Sequence, residues 1–275
     1  MKQRIRTALI ALPIALALLC LGGWLFALGI TVLAVVGWKE LRTMLLQKDC
    51  RLYYGASGLG VVLLLVAATM RAHELMLPLL TVIILAVMLE ALYHYEDEHW
   101  IANVAMSVFA VFYVGMLFSH FIFLRELSGN TYQFANFYNM ELGEALLWVV
   151  LFGTWASDTF AYFFGVAFGK HRLLEAVSPK KSVEGAVAGF FGTLLVVSAL
   201  GSGWLGYPLS KIVGLGLVIG FFAPLGDLVE SNLKRSCAIK DSGNFFPGHG
   251  GVLDRCDSLL FAVPLAYYYI KLFLL

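Results

Sequence analysis

The sequence predicts an all-α polytopic integral membrane protein of about nine transmembrane helices, eight being the alternative count, with its functional loops cytoplasmic. Three observations lead there. Of the 275 residues 60% are hydrophobic and only 13% charged, with a mean hydropathy of +0.84. Apolar runs long enough to cross ~30 Å of hydrocarbon at ~1.5 Å per residue recur along nearly the whole chain. The polar stretches between them, at about residues 126–142, 169–184 and 231–256, are too short to bury a core of their own, so residues 1–275 read as a single membrane domain.

The spans fall near residues 7–20, 22–38, 53–70, 76–92, 101–124, 143–168, 185–205, 209–230 and 257–275. The first has a basic start and an apolar core and so imitates a signal peptide, but Gly22 and Gly23 lead straight into a second apolar run, which favours a retained helix. Leu19 stands where a lipoprotein cysteine at position 20 needs a small residue. The first two runs form either a tight hairpin or one broken element, and the latter gives the count of eight. Basic residues orient the chain, because Lys and Arg are retained on the cytoplasmic side. Nine spans with the N-terminus inside place 15 of the 19 basic residues in the cytoplasm, with Arg71, Arg125, Lys211 and Lys271 at or near the other side. Leaving out the last two polar loops, whose cations can serve a ligand, still gives seven against four.

Against this apolar background the 32 residues from Gly226 to Asp257, GDLVESNLKRSCAIKDSGNFFPGHGGVLDRCD, carry four Asp, one Glu, two Lys, two Arg and a His. Charge beside hydrocarbon is expensive to hold, so such a density marks a functional site. Asp227, Ser231 and Lys234 recur at i, i+4 and i+7, on one face of a continuing helix. Asp254 and Asp257 share a face at i and i+3, so two helix ends can bring carboxylates together. Oxygen ligands of this kind suit Mg²⁺, and no His/Cys set suggests zinc. Lys234, Arg235, Lys240 and Arg255 add cations, a mixture suited to a metal-bound polyphosphate. The bland alternative is a loop of ordinary positive-inside charges with internal salt bridges. Phe246-Pro247-Gly248-His249-Gly250-Gly251 argues against it, since its glycines permit a tight backbone close to a ligand. His249 fits either phosphate donation and acid/base work or loop ordering. Glu230 lies at an angle to the Asp227 face and reads as structural.

A second polar group spans residues 154–185. Asp158 stands within an apolar span, and an intramembrane carboxylate is a functional candidate facing the protein interior, the alternative being a packing role. Ser178-Pro179-Lys180-Lys181-Ser182 offers cations and hydroxyls near the headgroups; Lys170 and Arg172 read as positive-inside anchors, and Lys180 and Lys181 as either anchors or phosphate ligands. Gly214-Leu215-Gly216 and Gly220 read as helix packing. His94, Glu96, Asp97, Glu98 and His99 read as a solvated turn. The cysteines at 20, 50, 237 and 256 show no metal or C-x-x-C spacing.

From Ser231 to Asp257 the cassette resembles, without a gap, the signature S-x-x-K-R-x-x-x-x-K-D-x-G-x-x-x-P-G-H-G-G-x-x-D-R-x-D of the bacterial phosphatidate cytidylyltransferase (CDP-diacylglycerol synthase) family. Ser157-Asp158-Thr159, Ala161-Tyr162, Gly165, Gly169-Lys170, Ser178-Pro179-Lys180-Lys181 and Glu184-Gly185 are similar to it too, with Ser182 where the family typically has Thr. The likeness covers about 100 residues of the C-terminal half. It divides the domain into N-terminal spans, about 1–142, and a nucleotidyltransferase portion, about 143–275. It implies transfer of CMP from CTP to phosphatidate with Mg²⁺, a second cation being left open, in a homodimer at the bacterial inner membrane with no nucleic-acid partner. It also implies that Asp227 and Asp254 bind the metal, with Asp257 and Asp241 in support. Lys234, Arg235 and Lys240 would face the triphosphate, with His249 beside them in the catalytic set. Ser231 and Arg255 would assist substrate binding, and Asp158, Lys180 and Lys181 would serve the phosphatidate side. A CTP-dependent enzyme acting on another lipid acceptor is the nearest rival. A cation transporter using Asp158 and Asp227 is the more distant one.

Overall fold

The computed structural model describes residues 2–134 and 138–275. The side chains of Lys2 and Arg4, two of the basic residues that set the expected orientation, lie outside the described part. The chain divides into two compact units, Met1–Phe123 with Ser236–Arg255, and Leu124–Arg235 with Cys256–Leu275. Residues 236–255 of the polar cassette therefore belong with the N-terminal helices rather than with the helices that flank them in sequence, a division the hydropathy pattern does not reveal.

The first unit begins with α1 (Lys2–Leu21) and α2 (Gly23–Leu46). Gly22 and Gly23 take positive φ of 61° and 52°, which turns the chain at no steric cost. Leu18 then lies against Gly29, so the two runs form the tight hairpin rather than one broken helix. α2 buries Phe26, Ile30, Ala34, Trp38, Leu41 and Met44, a stripe recurring every three to four residues. Glu40 is buried beside that stripe. α3 (Tyr54–Thr69), α4 (Met76–Leu92) and α5 (Trp100–Ala110) follow. A π turn, Val111–Met116, joins α5 to α6 (Leu117–Arg125). At that turn Gly115 meets the Val61 backbone, where a Cβ would stand 3.1 Å from the Val61 Cα.

The second unit opens with a hairpin of β1 (Thr131–Phe134) and β2 (Tyr138–Glu141), Thr131 opposite Glu141. Arg125 pins its base. The guanidinium reaches Glu141 at 3.2 Å and Glu144 at 3.3 Å, and the Tyr138 hydroxyl donates to Glu144 at 3.1 Å. Arg125 is thus a buried partner of two carboxylates. α7 (Leu142–Phe168) leads to a second hairpin, β3 (Arg172–Leu174) with β4 (Ser178–Ser182), and then to α8 (Val183–Ser198). The remaining helices are α9 (Leu209–Ser236) and α10 (Leu253–Tyr269).

Every one of the nine expected apolar runs is helical. Among the described residues seven helical stretches are long and apolar enough to cross a membrane, and Leu9–Leu21 and Tyr54–Thr69 are shorter. The molecule is a helical, polytopic membrane protein. It departs from a purely α-helical reading at the two hairpins, which occupy stretches expected as loops.

Candidate active site

The chemistry-bearing residues form one cluster in each unit. In the second unit the cluster begins where α9 meets α10. A Cβ on Gly226 would stand 2.5 Å from the Asp257 carbonyl oxygen and 3.1 Å from the Phe261 Cβ, so only glycine lets the two backbones come this close. The approach puts the neighbouring Asp227 beside Asp257 on α10. Asp158, on α7, completes a set of three carboxylates close enough to act on one another electrostatically. Asp158 keeps accessible surface on α7 and lies within the field of Lys181.

Lys181 is the cation of this group. Its Nζ is 2.5 Å from Asp227 Oδ2, and both side chains are partly accessible. Ser231 donates to Asp227 Oδ1 at 3.2 Å, as expected for residues one turn apart on α9. Lys234 continues along α9 but pairs at 2.5 Å with the fully buried Glu230. That pairing explains why Glu230 is tolerated inside an apolar helix: a lone buried carboxylate there would be strongly destabilising.

Lys181 is delivered by the β3–β4 hairpin, whose end is locked to α8. Ser182 caps α8 by accepting the Gly185 N–H at 3.2 Å, so its hydroxyl acts on the helix start. Glu184, in the first turn, accepts the backbone N–H groups of Lys170 and His171 at 3.1 and 3.2 Å and meets His171 Nδ1 at 2.6 Å. Arg235 donates from Nε to the Val177 carbonyl at 3.4 Å, tying the end of α9 to the same hairpin. Lys180 is exposed on β4.

The first unit holds the glycine-rich turn. His249 N–H donates to the Phe246 carbonyl at 2.8 Å and Phe246 N–H to the Gly250 carbonyl at 2.9 Å, closing the loop on itself. Gly248 and Gly250 sit at φ of 79° and 88°, a region side-chain-bearing residues rarely adopt. Gly250 is constrained twice, since a Cβ there would also stand 2.5 Å from Asp254 Oδ2. That oxygen accepts three hydrogen bonds: Ser242 N–H at 2.9 Å, Ser242 Oγ at 2.9 Å and Gly251 N–H at 2.8 Å. Arg255 donates from Nε to the His249 carbonyl at 2.8 Å and so braces the turn. His249 Nδ1 is enclosed, with no hydrogen-bond partner among the described residues. Lys240 and Asp241 are exposed just before Ser242.

Sequence reasoning missed Glu40. From α2 its carboxylate accepts the N–H groups of Val252 at 2.9 Å and Leu253 at 3.0 Å. The first amides of α10 are therefore satisfied by the protein and do not offer a phosphate the usual helix N-terminal site. The available signal is a lone carboxylate within an apolar helix. The acidic turn behaves as expected of a solvated turn: Asp97 caps His99 N–H at 3.0 Å and holds Asn103 Nδ2 at 2.9 Å.

No three of the described His, Cys, Asp and Glu residues stand close enough together to hold a metal ion unaided. The donor chemistry nonetheless fits a hard cation. Asp158, Asp227 and Asp257 supply oxygen donors of the kind a hard cation takes, with Lys181 and Lys234 as the nearby positive charges an ion would have to displace or share.

The sequence matches the family described as the cytidylyltransferase family over residues 2–273. It is 36% identical to a phosphatidate cytidylyltransferase of a Synechocystis species, covering 99% of this chain and 97% of that protein. Proteins of the same name from Staphylococcus aureus and Bacillus subtilis are 32% and 31% identical, covering 96% and 99% of this chain and 97% and 98% of their own lengths. With glycine turns, carboxylates and cations arranged as described, and a family match running almost end to end, this chain belongs to the cytidylyltransferase family.

Proposed function

We propose that this protein is a phosphatidate cytidylyltransferase, transferring CMP from CTP to phosphatidate to give CDP-diacylglycerol and pyrophosphate. The observation that carries the reading is the gapless cassette from Ser231 to Asp257, whose glycines are each explained by a turn or a close approach in the fold. A phosphatidate oxygen is already anionic, so no Ser or Cys nucleophile is needed. It attacks the α-phosphorus of CTP in line, the new P–O bond forms, and the bond to the bridging oxygen breaks to release pyrophosphate. The protein positions the reactants and neutralises charge.

Asp227 in the second unit and Asp254 in the first are each proposed as Mg²⁺ ligands, with Asp257 and Asp241 supporting. When bound, the ion would neutralise phosphate charge and favour pyrophosphate departure. Lys234, Arg235 and Lys240 face the triphosphate in this reading. Ser231, bonded to Asp227, and Arg255, bracing the His249 turn, assist substrate binding, and His249 serves as a phosphate donor or general acid/base. Lys181, with Lys180 and Asp158, receives the lipid phosphate; its salt bridge to Asp227 links the acceptor side to the metal side. Nine spans with the N-terminus and the polar loops cytoplasmic, in a bacterial inner membrane, and a homodimeric assembly complete the reading. The basic-residue asymmetry supports the orientation, and the family resemblance supports the dimer.

The decisive experiment is Mg²⁺-dependent conversion of radiolabelled CTP and phosphatidate to a CDP-lipid by purified protein in detergent, beside Asp254→Asn. Product from the wild type and none from the variant is expected. Turnover with a different lipid acceptor alone would keep the chemistry and overturn the substrate. Absence of CTP chemistry with any lipid would overturn the function.

A further inference from the structure

Glu40 lies 212 residues before Val252, outside the signature, yet it organises the signature's last third. It is 7% exposed, near the end of an apolar helix. Its two oxygens divide the work. Oε1 takes the Val252 N–H; Oε2 takes the Leu253 N–H and stands 3.2 Å from Ser242 Oγ. Ser242 is shared, since its hydroxyl also reaches Asp254 Oδ2 and lies 3.3 Å from the Asp254 N–H. A hydroxyl has one proton, so it serves one carboxylate at a time while the Ser242 and Gly251 N–H groups keep Asp254 in place.

The glycines around this lattice report the same closeness. A Cβ on Gly243 would stand 2.6 Å from Glu40 Oε1, and one on Gly251 2.5 Å from both Glu40 oxygens. Two glycines of the signature are thus required by a residue that is not part of it. A carboxylate buried at this cost is retained only if its acceptors are used, and here three donors converge on it.

We propose that Glu40 is a positioning residue for Asp254. By holding Val252, Leu253 and Ser242 it fixes the start of α10, and through Ser242 it fixes the orientation in which the Asp254 carboxylate is presented to a divalent cation. The proposal rests on the reading of Asp254 as a metal ligand. It differs from a plain helix-capping role in one respect: a cap affects folding, whereas a positioning residue affects metal dependence in protein that is still folded. Residues that orient metal ligands typically change metal affinity or activity ~10–100-fold when altered.

The test compares full-length wild type, Glu40→Gln, Ser242→Ala and Asp254→Asn in detergent. Three quantities are measured: the melting temperature without ligand, the shift in melting temperature on titrating Mg²⁺ with CTP, and the Mg²⁺ concentration for half-maximal turnover. Glu40→Gln and Ser242→Ala are expected to melt near the wild type but to need on the order of 10-fold more Mg²⁺ in both titrations. The double variant should be no worse than the poorer single one. Unchanged Mg²⁺ dependence in both folded single variants, with Asp254→Asn inactive, would reduce Glu40 to a helix cap and overturn the proposal alone. Wild-type Mg²⁺ dependence in Asp254→Asn would remove the metal reading and this proposal with it. Should Glu40→Gln fail to fold, Ser242→Ala decides between the same two outcomes.

Discussion

Asp227 sits at the meeting of three influences: the Lys181 ammonium, the Ser231 hydroxyl and the carboxylates of Asp158 and Asp257. Replacing it with Asn keeps the volume and removes the charge. Asp227→Asn is expected to lower CDP-lipid formation by ~100-fold or more, the scale on which a preorganised electrostatic group acts. Initial rates at saturating CTP measure it, and activity within a few-fold of wild type would remove Asp227 from the machinery. Chelation by EDTA should likewise abolish turnover, and added Mg²⁺ should restore it; activity persisting in EDTA would exclude a divalent cofactor. At Gly250 two constraints coincide, positive φ and contact with Asp254. Gly250→Ala should therefore cost turnover and on the order of 1–3 kcal/mol of stability. Gly203→Ala, which meets open space, should leave both unchanged. Comparable behaviour of the two variants would mean that the turn tolerates rearrangement. Lys181 shows what sequence could not give at this scale. Its place with Lys180 between the hydroxyls of Ser178 and Ser182 made it a candidate phosphate ligand, but the strand geometry that lays it on Asp227 is not written in local spacing.

At the scale of elements, α7 and α8 owe their contact to small residues. A Cβ on Gly185 would stand 2.7 Å from the Ala161 carbonyl oxygen, and one on Gly189 2.7 Å from the Ser157 carbonyl oxygen. Thr193 adds a hydrogen bond from its hydroxyl to the Gly153 carbonyl at 3.1 Å. Between apolar helices in lipid, close backbone approach and such bonds replace the hydrophobic drive. Gly189→Leu should separate the pair and displace Asp158 on α7 from Lys181 on β4, lowering both melting temperature and activity. A melting curve in detergent that overlays the wild type would show that the approach is dispensable. The helices themselves were legible because apolar length is a strong signal. The two hairpins were not: Ser178–Ser182 is polar and without alternation, Thr131–Phe134 is only four residues long, and their pairing is fixed by Glu184 and Arg125 from neighbouring elements.

For the whole molecule sidedness turns on the two shorter helices, because each span inverts every loop after it. At 16 residues α3 measures ~24 Å, less than the ~30 Å core, and local thinning or flanking polar groups must cover the difference. If both short helices span, residues 93–99 and the 237–252 segment share the cytoplasmic side, and the loop after Arg125 lies opposite. In a chain lacking its four cysteines, Glu98→Cys should be labelled only after the inner face is opened, and Ser128→Cys from outside. The reverse pattern, Glu98→Cys labelled from outside and Ser128→Cys only after the inner face is opened, would show that one of the two short helices fails to cross.

The sequence by itself determined the membrane class, the nine helical runs and the polar cassette with its glycines, because each follows from local composition or fixed spacing. Tertiary structure decided what those residues do for one another. It grouped residues 236–255 with the N-terminal helices, gave Lys181 to Asp227 and Lys234 to Glu230, and placed Glu40 under the start of α10. Burying a charge next to hydrocarbon demands a partner, and which partner is within reach is set by how distant helices pack. Local spacing can announce the charge but cannot name its partner.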